Sequence, residues 1–432
     1  MRKVKQLGLL ENKMDLKHQL NEMGKKAKAA SAVLNTAPSI QKNSFFDFAI
    51  KEIKSDQELI LMANHQDVAQ ARDAGKDAAF IDRLELNHER LEGICRTLEE
   101  IKLFPDPVGK ILANWDRPNG LNISRVSTPL GVIGIIFESR PNVASDAGGL
   151  CLKSGNAVIL RSGKDGLRSA SALVTAMQKA LLKAGLPKES IQIVPSENRE
   201  AATIMLEGLN GSIDVIVPRG GKSLVAEVEK SAKVPVFGHL EGICHVYVDE
   251  HADLKKAFEI CINAKMRRTG ICGAAETILL HQKIAKSFGP DLIAKLSSLD
   301  CEVRGCKKTL SLDQYVIPAT EEDWSTEYLA PIISIKVVDD AEEAIRHINS
   351  YGTGHTESII SEDLNSQNQF TASIDSAIVM INTSTQFADG GEFGLGGEIG
   401  IATGKFHARG PVGLDQLTSF KYIVSGDGQI RS

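Results

Sequence analysis

The sequence predicts an α/β fold organised around a doubly wound parallel sheet. Between residues 132 and 237, short apolar runs rich in β-branched residues alternate with helical segments. Such runs are typical of parallel strands buried on both faces, and the alternation is typical of βαβ units. The predicted strands are 132–137, 157–160, 191–194, 213–217 and 234–237, and the helices between them are 143–153, 166–184, 199–208 and 223–230. Ligands are expected at the strand ends of this sheet.

The residues before the sheet predict a helical layer. From 15 to about 100 the chain is rich in Ala, Glu and Lys, and apolar residues recur at helical spacings: Leu84, Leu91, Ile94, Leu98 and Ile101. This pattern favours helices with one apolar face, which would pack without contributing chemistry. Segment 104–109 breaks the pattern, and 115–129 combines a turn signal with apolar–polar alternation, which predicts a hairpin.

A second α/β unit is predicted after residue 245. Its elements are a strand at 245–248, a helix at 254–265, a strand at 277–280 and a helix at 284–296. The chain is then Gly-rich from about 384 to 413, and 417–424 alternates as expected for an edge or intersubunit strand.

Composition and charge favour small-molecule partners. A chain of 432 residues has room for roughly two to three domains. The net charge of −5 argues against non-specific nucleic-acid binding, and no apolar run is long enough to span a bilayer. Seven widely spread cysteines without a CxxC pair predict reduced thiols in the cytoplasm. Residues 1–5 are basic but no apolar signal core follows, and Met14 is an alternative start.

One cysteine, Cys272, is the candidate nucleophile. Three basic residues precede it and two glycines flank it: Lys265, Arg267, Arg268, Gly270 and Gly273. The cations would lower the pKa of the thiol if the backbone turned them toward sulfur, and the glycines would allow close approach. The alternative is a buried structural cysteine, because free cysteines are among the most buried residues.

Nucleotide fingerprints are absent from the sequence. It contains no GxGxxG, and RGGKS at 219–223 lacks the first glycine of a P-loop because position 216 is Ile. Gly220 and Gly221 nevertheless stand between a predicted strand and helix, where backbone N–H groups can bind a cofactor phosphate. The alternative is an ordinary tight turn.

Further polar residues lie at strand ends or in Gly-rich loops. Asn142 is a candidate amide donor to an oxyanion, with a helix N-cap as the alternative. His355, His407 and Arg409 lie in loops of the kind that line sites, with solvated turns as the alternative.

We expect no metal site in the segment HLEGICH at 239–245. His239, Glu241 and His245 would share one face of an extended strand. Their spacing matches no known zinc class, however, and Gly242 disrupts the strand.

Together these stretches resemble the γ-glutamyl phosphate reductases, a family within the aldehyde dehydrogenase superfamily. The resemblance covers nearly the whole chain from about Met14. Six motifs carry it: GVIGIIFESRPNV at 131–143, CLKSGNAVILR at 151–161, IDVIVPRGG at 213–221, the Cys272 loop at 263–277, GHTE at 354–357 and HARGPVG at 407–413. The loop departs from the family where Thr269 replaces a common proline, which leaves Cys272 and Arg268 in place.

The resemblance implies an aldehyde dehydrogenase-like architecture that assembles as a homo-oligomer. Residues 1–113 and 130–240 would form the cofactor-binding domain, and 241–413 the catalytic domain. Segments 114–129 and 414–432 would form a small β oligomerisation element. The superfamily binds its dinucleotide without GxGxxG, which explains the missing fingerprint.

The resemblance also implies roles for individual residues. For NADP the implied contacts are Arg161, Lys164 near the 2′ position, Gly220, Gly221, and Glu327 at the nicotinamide ribose. The implied catalytic residues are Cys272, Asn142 and Glu241, the last at the superfamily's general-base position, and the substrate-binding residues are Arg268, His407 and Arg409.

The implied reaction is NADPH-dependent reduction of L-glutamyl 5-phosphate to L-glutamate 5-semialdehyde and phosphate, through a cysteine thioester, in proline biosynthesis. Glutamate 5-kinase would be a channelling partner. Two other functions stay open: a cysteine-dependent enzyme that oxidises a free aldehyde, and a non-enzymatic scaffold. Dependence of the reverse reaction on phosphate separates the first function from both.

Overall fold

A computed structural model describes the backbone of residues 2–395 and 397–431 and the side chains of these residues from Met14 onward. The chain divides into two compact units. The first comprises Met1–Gly238, Leu395–Gly400 and Val412–Ser432, and the second comprises His239–Gly394 and Ile401–Pro411. The domain limits predicted at residues 1 and 432, and the question of a start at Met14, involve residues outside those described.

The first unit begins with a layer of five helices, as the apolar periodicity predicts. They are α1 (Arg2–Leu34), α2 (Ser39–Ser55), α3 (Gln57–Asp73), α4 (Ala78–Leu84) and α5 (His88–Leu103). The α5 helix starts where the side chain of Asn87 accepts a hydrogen bond from the Arg90 backbone N–H, at 2.8 Å. The periodic residues Leu84, Leu91, Ile94, Leu98 and Ile101 are all buried.

A parallel four-stranded sheet follows, with helices between its strands. Its strands are β3 (Val132–Phe137), β4 (Ala157–Ser162), β5 (Ile191–Ile193) and β6 (Val215–Arg219). Two strands of another sheet precede them in the chain, β1 (Ile111–Asp116) and β2 (Asn122–Pro129). The helices are α6 (Val143–Lys153), α7 (Leu167–Lys183), α8 (Arg199–Leu206) and α9 (Lys222–Ser231). The spatial order β5-β4-β3-β6 places β4 and β6 on opposite sides of β3. The carboxyl end of β3 is therefore a switch point at which doubly wound sheets bind ligands.

The strand predicted at 234–237 is wrong. Only a single bridge, between Ile216 and Val236, occurs there. Pro235 has no N–H to donate, so the pairing is limited to the two hydrogen bonds made by Ile216, with the Pro235 carbonyl and the Phe237 N–H.

The hairpin predicted at 115–129 is confirmed, and it begins slightly earlier, at Ile111. Strands β1 and β2 pair antiparallel, and β16 (Thr418–Ser425) pairs with β2 along its whole length. Three aromatic side chains of this sheet are at least partly exposed: Trp115, Phe420 and Tyr422. By its contacts the three-stranded sheet is part of the first unit.

The second unit contains a seven-stranded, entirely parallel sheet. Its order is β10-β9-β11-β8-β7-β12-β13. The strands are β7 (Cys244–Val248), β8 (Ala275–His281), β9 (Glu302–Gly305), β10 (Ile317–Pro318), β11 (Ile332–Val338), β12 (Thr356–Ile360) and β13 (Ile378–Ile381). The helices are α10 (Leu254–Met266), α11 (Gln282–Ser298), α12 (Ala341–Tyr351) and α13 (Leu364–Ser373), and a short antiparallel pair follows, β14 (Ile401–Ala402) with β15 (Gly410–Pro411).

Two further findings bear on function. Among the described residues, no helix combines the length and apolarity needed to cross a membrane. The seven cysteines are free thiols, and five of them are buried, whereas Cys272 and Cys306 are half-buried.

Candidate active site

The loop carrying Cys272 connects α10 to β8. Its turn is closed by a hydrogen bond of 3.0 Å from the Ala274 N–H to the Ile271 carbonyl. The half-buried Cys272 packs against the apolar cluster of Ile378, Met380, Ala388 and Ile401. The predicted nucleophile is therefore not a fully buried core thiol.

The backbone of Cys272 contacts the segment before β7 and the first residue of that strand. A Cβ atom at Gly242 would lie 2.1 Å from the Cys272 carbonyl oxygen, so only glycine fits at this approach. The Gly242 N–H donates to Glu327 Oε1 at 2.9 Å, and the buried Cys244 thiol donates to the Cys272 carbonyl at 3.1 Å. Glu241, half-buried, belongs to this same segment.

Two imidazoles lie beside the thiol. The Cys272 sulfur and one ring nitrogen each from His239 and His355 lie within 4.8 Å of one another. The two rings meet edge to face, with centroids 4.7 Å apart. Sequence reasoning placed neither ring beside the sulfur. The missing information was the strand order, since these residues precede β7, β8 and β12, which are neighbours in the sheet.

The three cations that precede Cys272 in the sequence have different surroundings. Lys265 is fully buried and forms an ion pair with Glu276. Burial raises the pKa of Glu276 to about 7, opposed by that lysine. The Arg267 guanidinium donates to the Gln386 side chain at 3.4 Å, and Arg268 is exposed. The charge of Lys265 is thus already paired.

Arg409 makes an ion pair, but with a different acid from the one considered in the sequence. Its two terminal nitrogens donate to Asp375, to the carboxylate at 2.8 Å and to the backbone carbonyl at 2.6 Å. Asp415 instead lies 3.6 Å from Lys110 within the first unit. His407 is exposed and has φ 33°, a left-handed conformation in this turn.

A cavity of about 550 Å³ adjoins the cluster on which the thiol packs. Its lining is mostly apolar, and Ile378 and Met380 belong both to the lining and to that cluster. Its volume falls within the usual range of small-molecule sites, about 300–1,000 Å³.

In the first unit, Asn142 precedes α6 without capping it by its side chain. Its backbone is already helical, and its amide donates to Asp146 at 2.8 Å. Asn142 thus occupies the N-cap position considered as an alternative, but its side chain makes no capping hydrogen bond. Removal from water raises the pKa of Asp146 to about 6, opposed by its hydrogen bonds from Asn142 and Ser145.

The predicted cofactor residues of this unit follow the carboxyl ends of its strands. Arg161, the penultimate residue of β4, is buried, and its Nε has no hydrogen-bond partner among the described residues. Lys164 is exposed just beyond. After β6, an added Cβ at Gly220 would meet Leu224 at 2.7 Å, whereas Gly221 borders open space at the start of α9. The cationic side chains of Arg161 and Lys164 and the glycine turn at the start of α9 fit an anionic dinucleotide.

His239 and His245, which the sequence analysis considered together as possible metal ligands, have different hydrogen-bond partners. His245 is fully buried, and its Nδ1 lies 2.9 Å from the buried Glu357 carboxylate. His239 instead uses its Nδ1 at the Ile401 carbonyl, at 2.8 Å.

Comparison with known proteins identifies the class. The model of the aldehyde dehydrogenase family matches residues 11–308 and 316–423. The chain therefore belongs to the aldehyde dehydrogenase family, and the predicted fold class is confirmed.

Within that family the chain groups with the gamma-glutamyl phosphate reductases. One from Parvibaculum lavamentivorans is 54% identical over 420 residues, covering 97% of this chain and 99% of the relative. One from Brucella suis is 56% identical over 417 residues, covering 96% and 99%. The crystal structure of the protein so named from Thermotoga maritima has a TM-score of 0.93 at 44% identity, covering 95% of this chain and 99% of that one.

Proposed function

We propose that the protein reduces L-glutamyl 5-phosphate to L-glutamate 5-semialdehyde and phosphate, using NADPH, in proline biosynthesis. The observation that carries the proposal is the half-buried Cys272 thiol, which lies beside two imidazoles and packs on an apolar cluster that also lines a cavity. Relatives that are 54% and 56% identical over nearly the whole chain are named gamma-glutamyl phosphate reductase.

The chemistry of an acyl phosphate sets what the chain must do. The Cys272 thiolate attacks the acyl carbon, the carbon–oxygen bond to phosphate breaks, and a thioester forms as phosphate leaves. After reduction, the thiohemiacetal on Cys272 collapses to the aldehyde and releases the thiolate. Water must be kept from the thioester, and the apolar packing of Cys272 against Ile378 and Met380 serves this purpose.

The proton of the thiol needs an acceptor. His239 offers a ring nitrogen within 4.8 Å of the Cys272 sulfur, and Glu241 occupies the predicted general-base position. The two roles separate in the pH profile of kcat/KM: the variant that removes the base, His239→Asn or Glu241→Gln, loses the rise in rate on the acid side.

Each tetrahedral intermediate carries an oxyanion. We assign its donors to the Cys272 backbone N–H and the Asn142 amide, which Asp146 holds by a hydrogen bond of 2.8 Å. Loss of one such donor typically costs about 2.7–4 kcal/mol of transition-state stabilisation. Asn142→Ala should therefore lower kcat by about 10²- to 10³-fold with little change in cofactor affinity.

The first unit would hold NADP(H). When bound, the reduced nicotinamide supplies the hydride. Arg161 and Lys164 would pair with the ribose and its 2′-phosphate, and the N–H groups at Gly220 and Gly221 would bind a phosphate of the cofactor. The Nε of Arg161 is buried and has no hydrogen-bond partner among the described residues, which supports this assignment. Glu327 would bind the nicotinamide ribose.

The substrate's carboxylate and phosphate need cations. Arg268 and His407 are exposed and can reach an anion from solvent, and Arg409 stays a candidate for the α-carboxylate despite its ion pair with Asp375. The apolar cavity would take the methylene groups of the glutamyl chain.

We further propose that the protein is a cytoplasmic homo-oligomer that assembles through the β1-β2-β16 sheet. It would receive its substrate from glutamate 5-kinase.

The decisive experiment is the reverse reaction. Glutamate 5-semialdehyde should reduce NADP⁺ only when inorganic phosphate is present, because phosphate must cleave the thioester. Cys272→Ser should abolish turnover while NADPH binding, measured by fluorescence, survives. Phosphate-independent oxidation would instead indicate an aldehyde-oxidising enzyme, and absence of turnover with every cofactor tested would indicate a scaffold.

A further inference from the structure

Cys272, His239 and His355 supply the kind of donor set that binds zinc. One ligand atom from each lies within 4.8 Å of the other two. Thiolate and imidazole are the preferred zinc ligands, with Zn–S about 2.3 Å and Zn–N about 2.0–2.1 Å. A tetrahedral ion would hold these atoms roughly 3.3–3.6 Å apart. The half-buried Cys272 side chain could close the remaining distance of about 1 Å by rotation about χ1.

The orientation of His239 suits ligation. Its Nδ1 lies 2.8 Å from the Ile401 carbonyl oxygen, which can only accept a hydrogen bond. The proton of a neutral ring is therefore on Nδ1, and Nε2 carries the lone pair. Metal-binding histidines almost always donate their other ring N–H in this way, commonly to a backbone carbonyl.

His355 provides a second, independent observation. The residue is fully buried, and its Nε2 has no hydrogen-bond partner among the described residues. Its Nδ1 lies 2.9 Å from the Thr356 hydroxyl and 3.6 Å from the Cys244 sulfur. A buried polar atom without a partner costs free energy, which a bound ion would recover.

Edge-to-face packing of the two rings does not account for these features. Such packing explains a centroid distance of 4.7 Å. It leaves unexplained the buried Nε2 of His355, which has no hydrogen-bond partner among the described residues.

We propose that Cys272, His239 and His355 form a reversible site for Zn²⁺ or another borderline metal ion, with water as the fourth ligand. The metal displaces the thiol proton and occupies the sulfur lone pair, so the loaded protein has no free nucleophile. Metal binding is independent of the proposed function, whereas inhibition of the reductase by metal rests on it.

The test measures metal binding directly on the full chain. Zn²⁺ titrated into metal-free protein should bind at one ion per chain by calorimetry, and Co²⁺ should produce a thiolate charge-transfer band. Mg²⁺, which prefers oxygen ligands, should do neither. Zn²⁺ should also slow alkylation of Cys272 by iodoacetamide, and EDTA should restore the rate.

Variants locate the site. Cys272→Ser, His355→Gln and His239→Gln should each weaken Zn²⁺ binding by at least about tenfold, equivalent to about 1.4 kcal/mol. Matched controls are Cys306→Ser, at the other half-buried cysteine, and His251→Gln, at an exposed histidine of the same unit. If buried His355 does not tolerate replacement, the half-buried His239 still tests the site.

The outcomes are distinct. Absence of binding at micromolar Zn²⁺, or binding unaffected by Cys272→Ser and His239→Gln, overturns the metal site. If the protein binds Zn²⁺ as described but has no reductase activity, the metal site is supported and the proposed function is wrong. Activity that persists in protein shown to be metal-loaded overturns the inhibitory role.

Discussion

The candidate site residues of the two parallel sheets lie at opposite ends of their strands. In the first unit, Asn142 and Gly220 follow the carboxyl ends of β3 and β6. In the second unit, His239, Cys272 and His355 precede the amino ends of β7, β8 and β12. Parallel sheets bind ligands at their carboxyl ends as a rule. The candidate residues of the first unit lie where this rule expects them, and those of the second unit do not.

The difference follows from where the helix ends lie. Helices of βαβ units run opposite to the strands, so their N-termini, with free N–H groups, meet the carboxyl ends of the strands. Such an end suits the phosphates of a dinucleotide. The amino ends of the strands meet the C-termini of helices, which offer carbonyl groups and partial negative charge. A site there must be built from side chains and from close backbone packing, as at Cys272 and Gly242.

The largest expected effect tests this packing. Gly242→Ala places a Cβ atom at 2.1 Å from the Cys272 carbonyl oxygen, so the nucleophile's backbone has to move. A misplacement of about 1 Å can cost about 10²-fold in rate. We expect kcat to fall by about that factor. The Kd for NADPH should change less, because the residues proposed to hold its phosphates lie in the first unit, and Gly242 bonds only to Glu327 among the proposed cofactor contacts.

The matched control is Gly404→Ala, because an added Cβ at Gly404 meets no atom of the described residues within 4 Å, its chain neighbours apart. It should leave kcat within about twofold of the parent. Equal losses in the two variants would mean that the close approach at Gly242 has no catalytic consequence.

The second prediction addresses the first unit alone. Lys164→Glu reverses a charge beyond the carboxyl end of β4, at the place assigned to the 2′-phosphate. The preference for NADP over NAD in kcat/KM should fall by at least about tenfold, since a favourable charge pair becomes a repulsive one. Alkylation of Cys272 by iodoacetamide should keep its rate.

Lys188→Glu makes the same charge change at the amino end of β5, where Lys188 is exposed. This control should leave the cofactor preference unchanged. A parallel shift in both variants would reveal a long-range effect of net charge rather than a contact at Lys164.

Local signals were enough to predict much of this molecule. The helical layer, the hairpin and Cys272 lie in continuous segments whose periodicity or composition is informative on its own. The grouping of His239, Cys272 and His355 was not predictable in this way, because it depends on the order β8-β7-β12. Strand order is a tertiary property. For the same reason the sequence suggested Asp415 as the partner of Arg409, whereas the observed acid is Asp375.

The third prediction tests whether Arg409 binds the substrate or only stabilises the fold. Its guanidinium makes two hydrogen bonds to Asp375. If it also binds the α-carboxylate, Arg409→Lys should raise the KM for glutamate semialdehyde several-fold, since an ammonium cannot make the bidentate contact. The KM for NADP⁺ and the melting temperature should then stay nearly constant. Asp375→Asn is the control: a lower melting temperature in both variants with an unaltered semialdehyde KM assigns Arg409 to the scaffold.

The smallest effect separates the two units by pH. In the second unit, burial lowers the pKa of His347 to about 2, with His245 and Lys336 as the nearby charges. The unfolded chain binds the proton more readily below its ordinary pKa of about 6.5, so this group lowers stability as pH falls. In the first unit, the raised pKa of Asp146 acts in the opposite direction, because below about pH 6 the folded state keeps a proton that the unfolded state releases.

Urea unfolding at pH 7.5 and pH 5 measures both terms. Removing the titrating imidazole in His347→Gln should reduce the acid-induced loss of stability by about 2 kcal/mol relative to the parent, because one proton is no longer taken up on unfolding. Any packing defect of this variant is present at both pH values and cancels in the comparison. Asp146→Asn should change the pH dependence in the opposite sense, increasing the loss on acidification. If both variants shift it in the same direction, the two buried groups do not titrate as their surroundings require.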